Sequence, residues 1–163
     1  MTTLDTVAPL QSIAEQHTST LQFNVMPGRP VEERLLVREY RVGHRYAEAH
    51  FDREYRSSMR NSPSHLIFLS ALTHTQKLLY LALCREFGLP YDPQGPELFK
   101  MWPTKVEVRI PELIAVERDL VQELWVREVK QFSPTRYRVV VETRVGSLSI
   151  RATIPTFLLE AGS

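Results

Sequence analysis

The sequence predicts an α+β fold in which a curved antiparallel sheet wraps around one long central helix. Two stretches of the chain and one packing requirement lead there. Residues 62 to 90, SPSHLIFLSALTHTQKLLYLALCREFGLP, are apolar nearly all round between clear start and stop signals. From Asp119 onward the chain reads as three long alternating strands joined by two short turns. A lone helix that is apolar on most faces needs apolar cover on most sides, and a curved sheet supplies it.

The start of the predicted helix is Ser62-Pro63, a capping residue followed by a proline suited to the first helical position. Its end is Gly88 followed by Pro90, a left-handed stop and then a residue that cannot continue a helix. His74, Gln76 and Lys77 sit together in its middle, which marks a soluble core helix rather than a membrane span.

Taken in order, residues 1–30 are expected to form a partly mobile N-terminal arm, with a weakly patterned short helix between Leu4 and Gln16 and a turn at Pro27-Gly28-Arg29-Pro30. A single domain then spans residues 31–160. Arg34 to Tyr55 mixes β-branched, aromatic and charged residues around Gly43, the pattern of a bent strand or a hairpin. RSSMRNSP is a loop leading to the helix, and YDPQGPELFKMWP is a surface connection leaving it. TKVEVRI alternates with Val106, Val108 and Ile110 on one face. DLVQELWVREVKQF, RYRVVVETRV and LSIRATIPTFLL form a meander with turns at Ser133-Pro134 and Gly146-Ser147.

With 163 residues, 43% hydrophobic and 24% charged, the chain has the size and composition of one globular domain. Its net charge of +1, from 20 basic and 19 acidic residues, argues against a general nucleic-acid binder. Cys84 is the single cysteine, so neither an intrachain disulfide nor a cysteine metal site is expected, and a cytoplasmic location is the simplest expectation. The N-terminus lacks the basic start and apolar run of a signal peptide. No Walker-type or dinucleotide glycine motif occurs, and the five histidines have no metal-ligand spacing, so no cofactor and no metal are expected.

This order of elements, with VEVRIPELIAVERDLVQELWV, VVVETRVGSLSIRATIP and the Pro-led helix PSHLIFLSALTHTQKLL, resembles the hot-dog superfamily of thioesterases and acyl dehydratases over roughly residues 34–159. The stretch REYRSSMRNSPSHL most resembles the long-chain fatty acyl thioesterases of bacterial lipopeptide assembly. The resemblance implies hydrolysis of an acyl-CoA or acyl-carrier-protein thioester by a homodimer or higher homo-oligomer, with no nucleic acid and no membrane as partner. It implies that Tyr55 and Asn61 match the Tyr and Asn that orient water and thioester. Two departures stand against it. Pro63 to Arg85 contains no carboxylate, and the usual Gly at the helix entrance is missing.

The residues themselves point to the helix entrance. Amides of Ser64, His65 and Leu66 at a positive helix end suit an oxyanion, although every helix has such an end. His65, near neutrality in pKa, suits a general base or is simply a His at a helix start. Leu69, Leu72 and Gln76 continue its stripe as a floor for an acyl chain, with a structural hydrogen bond the plainer role for Gln76. His74 is out of phase with that stripe and is read as a satisfied core residue. Asp52 or Glu54 could serve as the missing carboxylate, against the plainer reading of solvated charges. Arg34, Arg38, Arg41, Arg45, Arg53, Arg56 and Arg60 suit phosphate, against a paired, solvated strand face. The alternatives to hydrolysis are a β-hydroxyacyl thioester dehydratase and a non-catalytic subunit that binds acyl chains or a carrier protein.

Overall fold

The computed structural model describes residues 9–59 and 63–159. The elements run β1 (Gln11–Ile13), β2 (His17–Met26), β3 (Arg29–Gly43), β4 (Tyr46–Ser57), α1 (Phe68–Glu86), β5 (Phe99–Met101), β6 (Lys105–Arg109), β7 (Leu120–Ser133), β8 (Arg136–Val145) and β9 (Leu148–Leu158). They form one curved antiparallel sheet in the order β1-β3-β4-β7-β8-β9-β5, with β2 also on β3 and β6 also on β9. The single helix packs against this sheet, touching β2, β3, β4, β7 and β8. Leu78, Leu79, Leu81 and Leu83 of α1 meet Leu35, Phe51, Leu124, Leu148 and Ile150 of the sheet in the core.

The Arg34–Tyr55 region is a hairpin, and Arg45 takes the left-handed conformation in its turn with φ 49°. The meander follows its expected bounds closely. Residues 11–13 and 17–26, expected within an N-terminal arm, are the strands β1 and β2, and the weak helix expected from Leu4 to Gln16 does not extend over residues 11–13. β2 offered too little apolar alternation to be read, because most of it is exposed and β3 holds it through backbone pairing. β5 was hidden in the proline-rich connection, where three residues pair with the end of β9.

The helix is shorter than expected, 19 residues from Phe68 to Glu86. Residues 63–67 are not helical, and the amides of Leu66 and Ile67 find partners outside the helix. Leu66 N–H donates to Ile114 O at 2.9 Å, and Ile67 N–H donates to the Glu33 carboxylate at 3.1 and 3.2 Å. The expected Ser62 cap lies outside the described residues. Nor is the helix enclosed all round, since Phe68, Leu69, Thr73 and Gln76 leave one face exposed. Its end is as expected. Gly88, at φ 63°, permits Gly88 N–H to reach Arg85 O and Leu89 N–H to reach Cys84 O, a Schellman closure.

β3 contains a bulge between Val37 and Glu39. Val31, Glu33, Leu35 and Val37 are buried before it, and Tyr40 and Val42 after it, so the extra residue reverses the inward phase. Tyr40 thereby reaches His74 in the middle of α1. Gln122 fixes the imidazole tautomer. Its amide nitrogen donates to Ala71 O at 3.0 Å, which leaves Oε1 to accept from His74 Nδ1 at 3.3 Å. His74 Nε2 then accepts from the Tyr40 hydroxyl at 3.1 Å. Burial lowers the His74 pKa to about 4, so this is a neutral, fully bonded core histidine, as its helix phase suggested.

Candidate active site

β4 places Tyr55 on the same face as the buried Phe51 and Arg53, toward the helix entrance. There it meets His65, ring centroids 5.7 Å apart. Both line an apolar cavity of about 300 Å³ with Phe23 and Val25 of β2, Val31 of β3, Ile67 and Phe68 at the helix start, and Ile110 and Leu113 of the loop after β6. Five segments, three strands, the helix start and the loop after β6, thus build one apolar hollow with two polar rings in its wall.

His65 Nδ1 lies 2.8 Å from Pro63 O. A carbonyl can only accept, so Nδ1 carries the proton and Nε2 presents its lone pair. That is the tautomer a general base requires.

Behind this cavity lies a feature that the sequence reading passed over. Glu33 of β3 and Arg53 of β4, 3.5 Å apart, both have fully buried side chains. Burial pushes the Glu33 carboxyl above the ordinary carboxylate range, opposed by Ser70, the Ile67 N–H, Arg53 and His65. Ser70 Oγ faces this carboxylate but makes no hydrogen bond of good geometry and is otherwise unpartnered. Arg53 holds the opposite wall, donating from Nε to Val116 O at 2.8 Å and from Nη2 to Ile114 O at 3.1 Å. The pair therefore ties β3, the helix start and the 110–117 loop together. A signal existed in the sequence, since Glu33 and Arg53 each occupy the apolar phase of a strand, in line with Val31 and Leu35 and with Phe51.

The other expected site residues are distributed as follows. Leu66 is buried and lines the cavity. Ser64 is beside it but donates its hydroxyl to Glu117 at 3.1 Å. Of the three entrance amides expected to face an oxyanion, that of Leu66 is engaged by Ile114 O. Leu69 is exposed, Leu72 is half-buried against the core, and Gln76 lines a separate hollow of about 410 Å³ with Tyr80, Tyr91 and Met101. Asp52 is not brought to the cavity. It faces the other side of β4, where Arg38 Nη1 at 2.8 Å, the Asp119 N–H at 2.9 Å and Arg118 surround its carboxylate. Those contacts, the Asp119 amide first, hold its pKa below the ordinary range. Asn61 lies outside the described residues.

The arginines of the first hairpin are largely committed to neighbouring carboxylates: Arg34 to Glu32, Arg38 to Asp52 and Asp119, Arg41 to Glu39, and Arg45 to Glu86. Among the described residues no group of three or more His, Cys, Asp and Glu side chains could hold a metal ion. No helix of the described residues is long and apolar enough to cross a membrane. The chain matches no protein-family model and no curated protein sequence.

Proposed function

We propose that this chain is a hot-dog-fold thioesterase hydrolysing an acyl-CoA or acyl-carrier-protein thioester, with its acyl chain in the cavity at the helix entrance. The observation that carries this reading is His65, its Nδ1 committed to Pro63 O, beside Tyr55 in the wall of an otherwise apolar hollow. The curved antiparallel sheet around one helix is compatible with the fold that the sequence resembles.

In this mechanism the apolar walls bind the acyl chain and exclude bulk water, and Tyr55 orients the thioester or the attacking water. His65 Nε2 takes a proton as water adds to the carbonyl carbon. The tetrahedral intermediate collapses with cleavage of the C–S bond, and the imidazolium returns the proton to the departing thiolate. With the helix beginning at Phe68, the first-turn amides of Phe68 and Leu69 at its positive end would donate to the oxyanion. A second copy of the chain, covering the exposed Phe23, Val25 and Met26 of β2, would close the open side of the cavity.

One observation favours dehydration as the second reading: a buried carboxyl of raised pKa, Glu33, feels the charge of His65. Glu33 is nonetheless engaged by Arg53 and Ile67 and does not line the cavity, so hydrolysis is placed first. The test is thiol release from a chain-length series of acyl-CoA and acyl-N-acetylcysteamine thioesters, alongside hydration of the matching enoyl thioesters. Thiol release supports hydrolysis. Hydration without thiol release transfers the site to the dehydratase reading, and neither reaction at any chain length rejects both.

A further inference from the structure

The face of the sheet turned away from the helix carries another hollow, of about 270 Å³, at the end of β6, β8 and β9. Register builds it. Ser149 of β9 is paired directly with Arg109 of β6 on one side and Arg144 of β8 on the other. The three residues therefore share one cross-strand row, an arginine on each side of a hydroxyl, and the Arg144 guanidinium also pairs with Glu142 at 2.9 Å and lies over the Trp125 ring, 5.6 Å from its centroid. In the next row Arg151 stands between Glu107 and Glu142.

The carboxylates here are already occupied. Glu142 receives Arg144 at 2.9 Å and Arg127 at 3.2 Å, which hold its pKa below the ordinary range, and Glu107 lies 3.5 Å from Lys105. Among the described residues Arg109 and Arg151 make no ion pair. Glu123, opposite Arg144 on β7, is a further acid of this face and acts on Tyr46. A chain whose net charge is only +1 thus gathers Lys105, Arg109, Arg127, Arg144 and Arg151 around Glu107 and Glu142. Arg109, which makes no ion pair among the described residues, the Ser149 hydroxyl, and Arg144, whose contact with Glu142 uses only Nη2, offer donors that a phosphate can accept.

This hollow is coupled to the apolar cavity by chain continuity. Ile110, the residue after Arg109, lines that cavity. The turn from β8 to β9 touches the same loop, since a Cβ on Gly146 would meet the Ile114 side chain at 3.5 Å.

We propose that Arg109, Ser149 and Arg144 form a binding site for a phosphate ester, the phosphate of the carrier that bears the thioester. The proposal rests on the thioesterase reading for its choice of ligand. The carrier phosphate has two sources, the nucleotide of coenzyme A or the phosphopantetheine shared with carrier proteins, and separate probes distinguish them.

The experiment titrates the full chain calorimetrically with adenosine bisphosphate, with phosphopantetheine and with inorganic phosphate. It compares wild type with the Arg109→Gln/Arg144→Gln double variant and with Ser149→Ala, all checked for an unchanged circular dichroism spectrum. The expected result is wild-type binding of at least one phosphate ester, weakened about tenfold or more in the double variant and falling with added salt. Preference for adenosine bisphosphate identifies coenzyme A, and preference for phosphopantetheine identifies the shared arm. Absence of wild-type binding, or equal affinity in wild type and the double variant, overturns the proposal. Hydrolysis of the phosphate-free acyl-N-acetylcysteamine thioester separates the two ideas. Cleavage without phosphate binding rejects this site alone, whereas phosphate binding without cleavage of any thioester rejects the thioesterase reading and leaves the site.

Discussion

Glu33 and Arg53 face each other 3.5 Å apart with neither side chain exposed, and between them they engage the start of α1 and the 110–117 loop. Removing one partner strands the other charge out of water. Arg53→Met is therefore expected to destabilise the fold by about 3–5 kcal/mol in urea unfolding, and Glu33→Gln/Arg53→Met to recover part of that loss. A double variant no more stable than Arg53→Met would show that the arginine acts through Val116 O and Ile114 O alone.

His74 makes stability depend on pH in a known direction. Its pKa falls from the ordinary 6.5 to about 4 on folding, so between those values the unfolded chain binds a proton that the folded chain does not. Stability is full above this window and drops as pH falls through it, by roughly 3 kcal/mol. Glu33 runs the other way, because its raised pKa adds stability in acid that is lost as pH rises. Urea midpoints of wild type and His74→Gln between pH 7 and pH 4 separate the two, and the variant should lose the downward slope.

Tyr55→Phe and His65→Asn are expected to lower thioester turnover by roughly 10²–10⁴-fold with little change in urea midpoint, since neither side chain belongs to the buried core. Full activity in the pair combined would remove both from the mechanism.

Leu113, 57% exposed at the rim of the apolar cavity, tests where the acyl chain runs. Leu113→Asp should raise KM for long-chain substrates about tenfold and leave the shortest substrate unchanged, because apolar contact is lost only where the chain reaches it.

Val25, 49% exposed on β2, tests the proposed second copy. Val25→Lys should shift sedimentation toward monomer at micromolar protein, because a charge on an edge strand opposes pairing with another chain.

The meander was legible because alternation and turn residues agree from Leu120 to Leu158, and the helix end because Gly88 adopts the left-handed conformation its position demanded. The helix start was not legible. Ser62-Pro63 carries the local signal for a start, yet Leu66 and Ile67 are held out of the helix by Ile114 and Glu33, partners distant in sequence. The same contacts explain the uneven placement of the site. Tyr55 and His65 meet because β4 and the helix approach converge, while Asp52, one residue out of phase with Arg53, was bound to face the opposite side. Glu33 went unread because a glutamate in a charged, arginine-rich hairpin looks like surface until its phase is counted against Val31 and Leu35.

The bulge in β3 has a wider consequence for how this chain can change over time. Two odd-numbered and even-numbered halves of one strand serve two separate buried polar groups, Glu33 at the helix start and Tyr40 at its middle. Loss of Arg38 would fuse the halves into one uninterrupted ladder and turn either the acid or the phenol outward. In a lineage of such proteins, the length between these positions is therefore constrained more tightly than the identity of the residue that fills it.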